Sequence, residues 1–122
     1  MTKLSKHFSR HEFACSCPND CGADVVDIEL ITVLENLRTH FNSPITINSG
    51  HRCIEHNIRV GGSLTSQHLT GRAADIVVKD VPPHEVATYL RATYPDTYGI
   101  GEYDEQGFVH FDCRKTKARW IG

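Results

Sequence analysis

The sequence predicts an α+β fold with a small, mostly antiparallel sheet and helices packed on one side of it. Two amphipathic helical stretches and several short β-like runs alternate along 122 residues, and a hairpin-type turn joins the last two runs. A chain of this length forms a single sizeable core. We therefore expect residues 1–122 to be one domain.

Two stretches have the pattern of amphipathic helices. Between Asp27 and Phe41, apolar residues recur at spacings of three and four, which predicts one buried face, and Asp27 suits the N-cap. A second helix is predicted from Pro82 to about Thr93, because prolines favour the first helical turn. Shorter helical segments are expected at residues 9–13 and 54–60.

Runs of β-branched and aromatic residues predict the strands of the sheet. They lie at residues 45–49, 75–78, 97–103 and 108–113. Residues 104–107 have the composition of a hairpin turn between the last two runs. The basic segment 114–119 is expected to be solvated, and Trp120 is expected to fold back on the core.

Charge and hydropathy exclude some partners and locations. The formal net charge of −2 argues against binding nucleic acid through a basic surface. No apolar run has membrane-spanning length, so we expect no membrane insertion. The first seven residues lack the apolar segment of a secretory signal. We expect a monomer that folds in the cytoplasm and reaches other compartments only if phage lysis releases it or a virion carries it.

Five cysteines, an odd number, argue against a fully disulfide-bonded secreted domain. Cys15, Cys17 and Cys21 lie in a turn-rich loop, and Cys53 is the obvious fourth ligand if this loop forms a structural zinc site. The alternative is a packed loop of buried thiols with at most one incidental disulfide. The incomplete local spacing favours the packed loop over a second metal ion.

The stretch from Ser66 to Ile76 carries the strongest chemical signal. His68 lies in a turn and Asp75 opens an apolar strand, which brings an imidazole and a carboxylate to the same place. With His110 on the last predicted strand, they make up the ligand set of an open, catalytic Zn²⁺ site. Zinc makes hydroxide available near neutral pH for attack on a peptide carbonyl. The plainer alternative is a pair of packed or surface histidines and a strand-end carboxylate.

Three further residues are candidates for roles around this site. Asp112 follows His110 by two positions, so both side chains lie on one face of a strand, and Asp112 can act as the base or contact a ligand. Arg52 is a candidate for binding the carbonyl or carboxylate of the substrate. Ser66, close to His68, is a second substrate-binding candidate. The alternative for Arg52 is an ordinary surface cation.

Three motifs resemble those of the zinc D-Ala-D-Ala carboxypeptidase family. Residues 66–75 match the pattern S-x-H-x-x-G-x-A-x-D. Residues 49–52 resemble S-G-Y-R with histidine in place of tyrosine, and residues 108–112 resemble the C-terminal H-x-D element. The resemblance extends from about Phe8 to Trp120 and is greatest to the compact single-domain branch of bacterial and phage proteins.

This resemblance implies one zinc ion held by His68, Asp75 and His110, with Arg52 polarising the carbonyl or binding the substrate. It implies the α+β fold shared with the hedgehog signalling domain, in which the sheet cradles the metal. The implied activity is hydrolysis of peptide bonds in peptidoglycan, as a D,D-carboxypeptidase or an endopeptidase. The implied partners are peptidoglycan stem peptides, and a phage lysis or virion-associated role suits a chain without a signal peptide.

The chain departs from the family pattern at the general base. Many members have a glutamate three residues before the last histidine ligand, where this chain has Gly107, and the related H-x-H variant is also absent. The expected base is therefore Asp112, with Glu102 and Asp104 as the alternatives. The missing glutamate leaves open a non-catalytic zinc-containing module of the same fold. A thiol enzyme that uses Cys113 is a third hypothesis, although Cys113 is out of phase with the last histidine on its strand.

Overall fold

The computed structural model describes residues 2–122, so Met1, the first residue of the predicted domain, lies outside the described residues. Three α-helices and five strands are found within this range, as the α+β prediction requires. The helices are α1 (Ile28–Phe41), α2 (Ile54–Arg59) and α3 (Pro83–Thr93), and the strands are β1 (Ile45–Ser49), β2 (Ala73–Val78), β3 (Gly99–Tyr103), β4 (Phe108–Asp112) and β5 (Ala118–Ile121). Two 3-10 turns lie at Arg10–Phe13 and Gln67–Thr70.

The five strands form one mixed sheet in the order β1-β2-β4-β3-β5. Three pairings are antiparallel, whereas β5 runs parallel to β3 at the edge of the sheet. The prediction of a mostly antiparallel sheet is therefore corrected to a mixed one. The reason lies in the path of the chain. The last residue of β4, Asp112, pairs with the first residue of β3, Gly99. From there the chain passes the start of β3 and runs along its free edge in the same direction as β3. The basic segment 114–119, which was expected to be solvated, includes the first two residues of this edge strand.

One face of the sheet packs against the hydrophobic core, and the other carries the candidate site. Residues paired across antiparallel strands lie on the same face, and successive residues alternate between faces. Ile76 pairs with Val109, and both are buried in the hydrophobic core with the apolar sides of α1 and α3. Asp75 pairs with His110, and each is the chain neighbour of a residue in the Ile76–Val109 pair. Both side chains therefore lie on the opposite face of the sheet. The two longest helices thus pack on one side and leave the other side for a site.

Helix α1 forms where its pattern predicts. The Asp27 carboxylate accepts a hydrogen bond from the Glu29 N–H at 2.8 Å and caps the first turn, and Asn42 ends the helix in the left-handed conformation. Leu34 and Leu37 are fully buried against the sheet, and burial of each stabilises the fold by about 1.5–3 kcal/mol. Among residues 2–122, no helix combines the length and the apolar character needed to cross a lipid bilayer.

Trp120 does not pack into the core, in contrast to the sequence expectation. It pairs with Gly101 across the parallel β3–β5 edge, and its indole lies on the face that carries His110, with ring centroids 5.2 Å apart. Its Nε1 donates a hydrogen bond to the Tyr103 hydroxyl at 2.9 Å. A Cβ atom at Gly101 would collide with the indole, so glycine is required for this packing.

Candidate metal centre and cleft

Three elements bring His68, Asp75 and His110 together. His68 lies on the 3-10 turn Gln67–Thr70, whereas Asp75 on β2 and His110 on β4 are cross-strand partners. One ligand atom from each residue lies within 4.8 Å of the others. An Asp75 carboxylate oxygen is 3.3 Å from His68 Nε2 and 2.9 Å from His110 Nδ1. The residues predicted to bind metal therefore form one group.

The turn that carries His68 is built by the residues around it. The Ser66 hydroxyl accepts a hydrogen bond from the His68 N–H at 3.2 Å, so Ser66 caps the turn as well as lining the cleft described below. Gly71 ends the turn at a φ of 71°, a left-handed conformation that favours glycine. A Cβ atom at Gly71 would collide with the Val25 carbonyl. These contacts explain the spacing of serine, histidine and glycine in the motif.

The His68 ring has a free lone pair that faces the carboxylate. Its Nδ1 lies 2.7 Å from the Gly50 carbonyl oxygen. Because a carbonyl can only accept, Nδ1 carries the proton and Nε2 is left as a lone pair. Nε2 is buried and finds no hydrogen-bond partner among the described residues, although the Asp75 carboxylate lies close by. A buried lone pair opposite an anion is unfavourable without a cation between them, so the donor set fits a metal ion.

His110 is held between two carboxylates. Its Nδ1 is 2.9 Å from Asp75, and its Nε2 is 2.7 Å from Asp112. Asp112 is fully buried and also accepts hydrogen bonds from the Arg114 guanidinium at 2.7 and 2.8 Å. An outer carboxylate bonded to the second nitrogen of a histidine fixes the orientation of that ligand. The arrangement leaves Nδ1 as the nitrogen of His110 that faces Asp75 and His68.

This geometry argues against Asp112 as the general base, because its carboxylate lies behind His110 and is occupied by Arg114. The geometry also argues against Glu102 and Asp104, the two alternative bases. Glu102 faces the helices and pairs with Arg91 at 3.0 Å. Asp104 is exposed at the hairpin, where its hydrogen bond with Glu102 raises the pKa of its carboxyl group. Among residues 2–122, the carboxylate that lines the cleft is that of Asp75 alone.

The carboxylates of the site are charged at neutral pH. Burial alone would raise the pKa of Asp75, but the neighbouring His110 and His68 rings hold this pKa well below its usual value. The pKa of Asp112 is also lowered, since hydrogen bonds from His110 and Arg114 outweigh burial. The same two carboxylates raise the pKa of His110 against the effect of burial. The Asp75 carboxylate is therefore available as an anionic ligand for a cation.

The metal-ligating group opens into a cleft of about 400 Å³, a volume typical of sites for small molecules or the end of a peptide. Tyr103, Phe108 and Trp120 line one part of it, and the rings of Tyr103 and Phe108 stack with centroids 4.6 Å apart. Ser66 and the glycine-containing loop around residue 62 line another part. The cleft therefore combines an aromatic wall with a polar one.

Arg52 is held at the cleft wall beside the metal-ligating group. Its Nη1 donates to the Asn57 side-chain oxygen at 3.0 Å, its Nε donates to the Ser49 hydroxyl at 3.3 Å, and its Nη2 lies 3.6 Å from Asp75. Asn57 is buried, and a Cβ atom at Gly62 would collide with both Asn57 and the guanidinium. The guanidinium is thus preorganised with one end directed at the cleft.

No sequence pattern identifies Asn57, Arg114 or Trp120 as residues of the site. The Arg114 guanidinium lies 5.3 Å from the centre of the Trp120 ring, and both residues line the cleft. Their positions depend on the return of β5 beside β3, which no local pattern indicates. One signal was present, because Arg114 follows Asp112 by only two residues.

Cys113 lies in the core cluster, and burial raises the pKa of its thiol to about 12. The described cleft lining does not include this residue. A thiol nucleophile must be accessible and readily deprotonated. The geometry therefore argues against the hypothesis of a thiol enzyme.

Comparison with known proteins identifies a family over most of the chain. The family model described as Peptidase M15 matches residues 6–112, a range that contains His68, Asp75, His110 and Arg52. No curated protein matches the chain. The family match confirms the broad part of the resemblance drawn from the three motifs, namely the zinc metallopeptidases that include D-Ala-D-Ala carboxypeptidases.

Proposed function

Since the chain belongs to the peptidase M15 family of zinc-dependent peptidases, we propose that it hydrolyses peptide bonds in bacterial peptidoglycan. The substrates are stem peptides or their cross-links, cut as by a D,D-carboxypeptidase or an endopeptidase. The observation that carries the proposal is the group formed by His68, Asp75 and His110 at a cleft that Arg52 flanks.

His68 Nε2, a carboxylate oxygen of Asp75 and His110 Nδ1 would hold the zinc ion. When bound, zinc supplies Lewis-acid chemistry by lowering the pKa of a water molecule and polarising the carbonyl of the scissile bond. Two imidazoles and one carboxylate are a ligand set of catalytic zinc sites, which keep one position for water or substrate. Asp112 supports this set from behind by holding the His110 ring in place.

Arg52 binds and orients the substrate in this proposal. Its guanidinium is fixed by Asn57 and Ser49, so little conformational entropy is lost when it donates to a carbonyl or carboxylate oxygen. Arg114 is a second cation at the cleft, although Asp112 neutralises part of its charge. Two guanidinium groups favour a peptide that ends in a carboxylate, as the stem peptides of peptidoglycan do.

A second candidate function is a non-catalytic zinc-containing module that binds the same peptides. The specific observation in its favour is that the cleft, within residues 2–122, contains no carboxylate other than the Asp75 ligand. General-base catalysis contributes about 10²–10⁴-fold to rates of this kind. Without a base on the protein, hydrolysis is slower than in relatives that have the glutamate, and binding alone accounts for the same residues.

Incubation of the zinc-loaded protein with purified muropeptides, followed by mass spectrometry, distinguishes these functions. We expect cleavage by the wild type and none by the His68→Ala variant or after chelation. Release of a terminal D-alanine identifies a carboxypeptidase, and division of cross-linked dimers identifies an endopeptidase. The Glu102→Gln variant is the matched control, because this buried carboxylate faces the other side of the sheet and should leave cleavage intact. Failure of the zinc-loaded wild type to cleave any muropeptide refutes the enzyme and leaves the binding module.

A further inference from the structure

A second group of metal-ligating side chains lies outside the cleft. The sulfur atoms of Cys15, Cys17, Cys21 and Cys53, the four-cysteine cluster, all lie within 4.8 Å of one another, and all four residues are free thiols. We propose that the four-cysteine cluster binds a structural zinc ion as four thiolates. The proposal is independent of the proposed function, because this ion acts on folding and has no position open to substrate.

The spacing of the sulfurs suits tetrahedral coordination. Zinc–sulfur bonds of about 2.3 Å in a tetrahedron separate the sulfurs by about 3.8 Å, within the observed 4.8 Å limit. A ligand set of four sulfurs in this geometry selects zinc or iron over calcium, magnesium and manganese. Cys15 and Cys17 are buried, Cys53 is partly buried and Cys21 is exposed, so the ion would lie at the surface with one side shielded. Closed sites of this kind are structural.

The loop is shaped to bring its cysteines together. Asp20 and Gly22 have φ values of 48° and 77°, so the backbone turns sharply on both sides of Cys21. The Asp20 N–H donates to the Cys17 carbonyl at 3.1 Å and closes this turn. Glycine adopts the left-handed conformation readily, but Asp20 does so less favourably unless other contacts select it. Convergence of the cysteines on one ion supplies a reason for this conformation.

Each sulfur of the cluster also accepts a backbone N–H group. The donors are Cys21 to Cys17 at 3.5 Å, Ala23 to Cys21 at 3.5 Å, Cys53 to Cys15 at 3.4 Å and His56 to Cys53 at 3.4 Å. Neutral thiols are weak acceptors, whereas thiolates are stabilised by such donors. Backbone donors aimed at all four sulfurs therefore match the supporting hydrogen bonds around metal-bound thiolates. This pattern favours the metal site over the packed loop of thiols that the sequence favoured.

The ion would connect the N-terminal loop to the segment that carries Arg52. Cys53 directly follows Arg52, whose N–H donates to the His68 carbonyl at 2.9 Å. On the other side, the His51 N–H donates to the Phe13 carbonyl at 2.8 Å. Residues 50–53 are thus attached to the N-terminal region and to the turn of the ligand set, and coordination of Cys53 would hold this strap in place.

Cobalt substitution and metal analysis test the proposal on the full chain, purified under reducing conditions. We expect about two zinc ions per chain, one for each ligand set, and about one in the His68→Ala variant. The remaining site should give sulfur-to-cobalt charge-transfer bands when loaded with Co²⁺, since only thiolate ligands produce them. Cys21→Ser, at the exposed ligand, should bind the ion more weakly and give weaker charge-transfer bands, because only three thiolates remain. Cys113→Ser, which removes a thiol outside the cluster, should keep the affinity and the bands.

Thiol reactivity completes the test without any cysteine variant. In the native His68→Ala protein, the four cluster cysteines should react with a thiol reagent only after chelation, with release of one zinc ion. Immediate reaction of all four, combined with absent charge-transfer bands, overturns the proposal. Disulfides found by alkylation and mass spectrometry, or iron in place of zinc in the isolated protein, also overturn it.

Discussion

Replacing Asp112 by asparagine distinguishes a positioning role from a general-base role for this carboxylate. Asparagine keeps the size of the side chain but removes the charge that faces His110 Nε2 at 2.7 Å and the Arg114 guanidinium. If Asp112 orients His110, the variant binds zinc more weakly but hydrolyses substrate normally once zinc is saturating. If Asp112 is the base, zinc affinity is kept and turnover falls.

The expected size of the effect follows from the contacts. Loss of a carboxylate behind a histidine ligand lowers metal affinity by about 10–100-fold, which corresponds to about 1.4–2.7 kcal/mol. Breaking a buried ion pair costs about 3–5 kcal/mol when the remaining charge stays buried. The Arg114 side chain is 38% exposed and can be solvated, so we expect the free energy of unfolding to fall by about 1–3 kcal/mol, as for lost hydrogen bonds to a charged group.

Three measurements check this prediction. Competition with a chromophoric chelator gives the zinc affinity, muropeptide cleavage at saturating zinc gives kcat, and denaturant unfolding gives stability. Glu102→Gln is the matched control, because Glu102 is also a buried carboxylate that pairs with an arginine and a histidine, but on the helix side of the sheet. It should lose similar stability and keep wild-type zinc affinity.

The opposite pattern would refute the reasoning. Wild-type zinc affinity in Asp112→Asn, together with a loss of about 10²-fold or more in kcat at saturating zinc, is the signature of a missing general base. A zinc affinity equally weakened in the Glu102→Gln control would show that general destabilisation, and not the orientation of His110, causes the change.

Three further predictions concern the cleft and the sheet. Arg52→Lys keeps the charge but loses the fork geometry, so kcat/KM for muropeptides should fall by about 10–100-fold with unchanged zinc affinity; an unaltered kcat/KM would remove Arg52 from substrate binding. The hydrogen bond with Asp104 and the basic neighbours lower the pKa of Glu102. The ionised Glu102 carboxylate therefore stabilises the fold above the unfolded pKa of about 4.3, and this stabilisation is lost as the pH falls through the folded pKa. The stability difference between wild type and Glu102→Gln, measured by denaturation, should therefore shrink below about pH 4, and a constant difference contradicts it. Gly101→Ala pushes a methyl group into the Trp120 indole and should cost about 1–3 kcal/mol in unfolding and raise KM; an unchanged Tm would show that the indole moves freely.

The parts that sequence could predict are those with local patterns. The buried face of α1 follows from the spacing of residues such as Leu34 and Leu37, and both are fully buried. His68 and Asp75 lie seven residues apart in one motif, and the turn and strand between them need only local contacts to form. Strand alternation also put Asp112 on the face of His110, as the structure has it.

The features that the sequence did not predict depend on pairings between distant segments. Nothing local indicates that Ala118–Ile121 pairs in parallel with β3, and this pairing brings Trp120 to the cleft. Alternation could not tell which nitrogen of His110 meets Asp112, because that depends on the Asp75 contact from a neighbouring strand. Glu102 pairs with Val109, so register places it on the core face, but register follows only from the assembled sheet.

The N-terminal region contributes to the metal centre although it supplies none of its ligands. The Gly50 carbonyl fixes the His68 tautomer, and a Cβ atom at Gly50 would collide with the Phe13 backbone. His51, which stands where the family motif has tyrosine, accepts the Val25 N–H at 3.0 Å through Nδ1. Residues 50–53 therefore connect the N-terminal region directly to the turn that carries His68, so the position of the N-terminal loop affects the position of this ligand. This connection explains why a stabilising ion at the four-cysteine cluster would matter for the cleft, since the strap would otherwise depend on hydrogen bonds worth about 1 kcal/mol each.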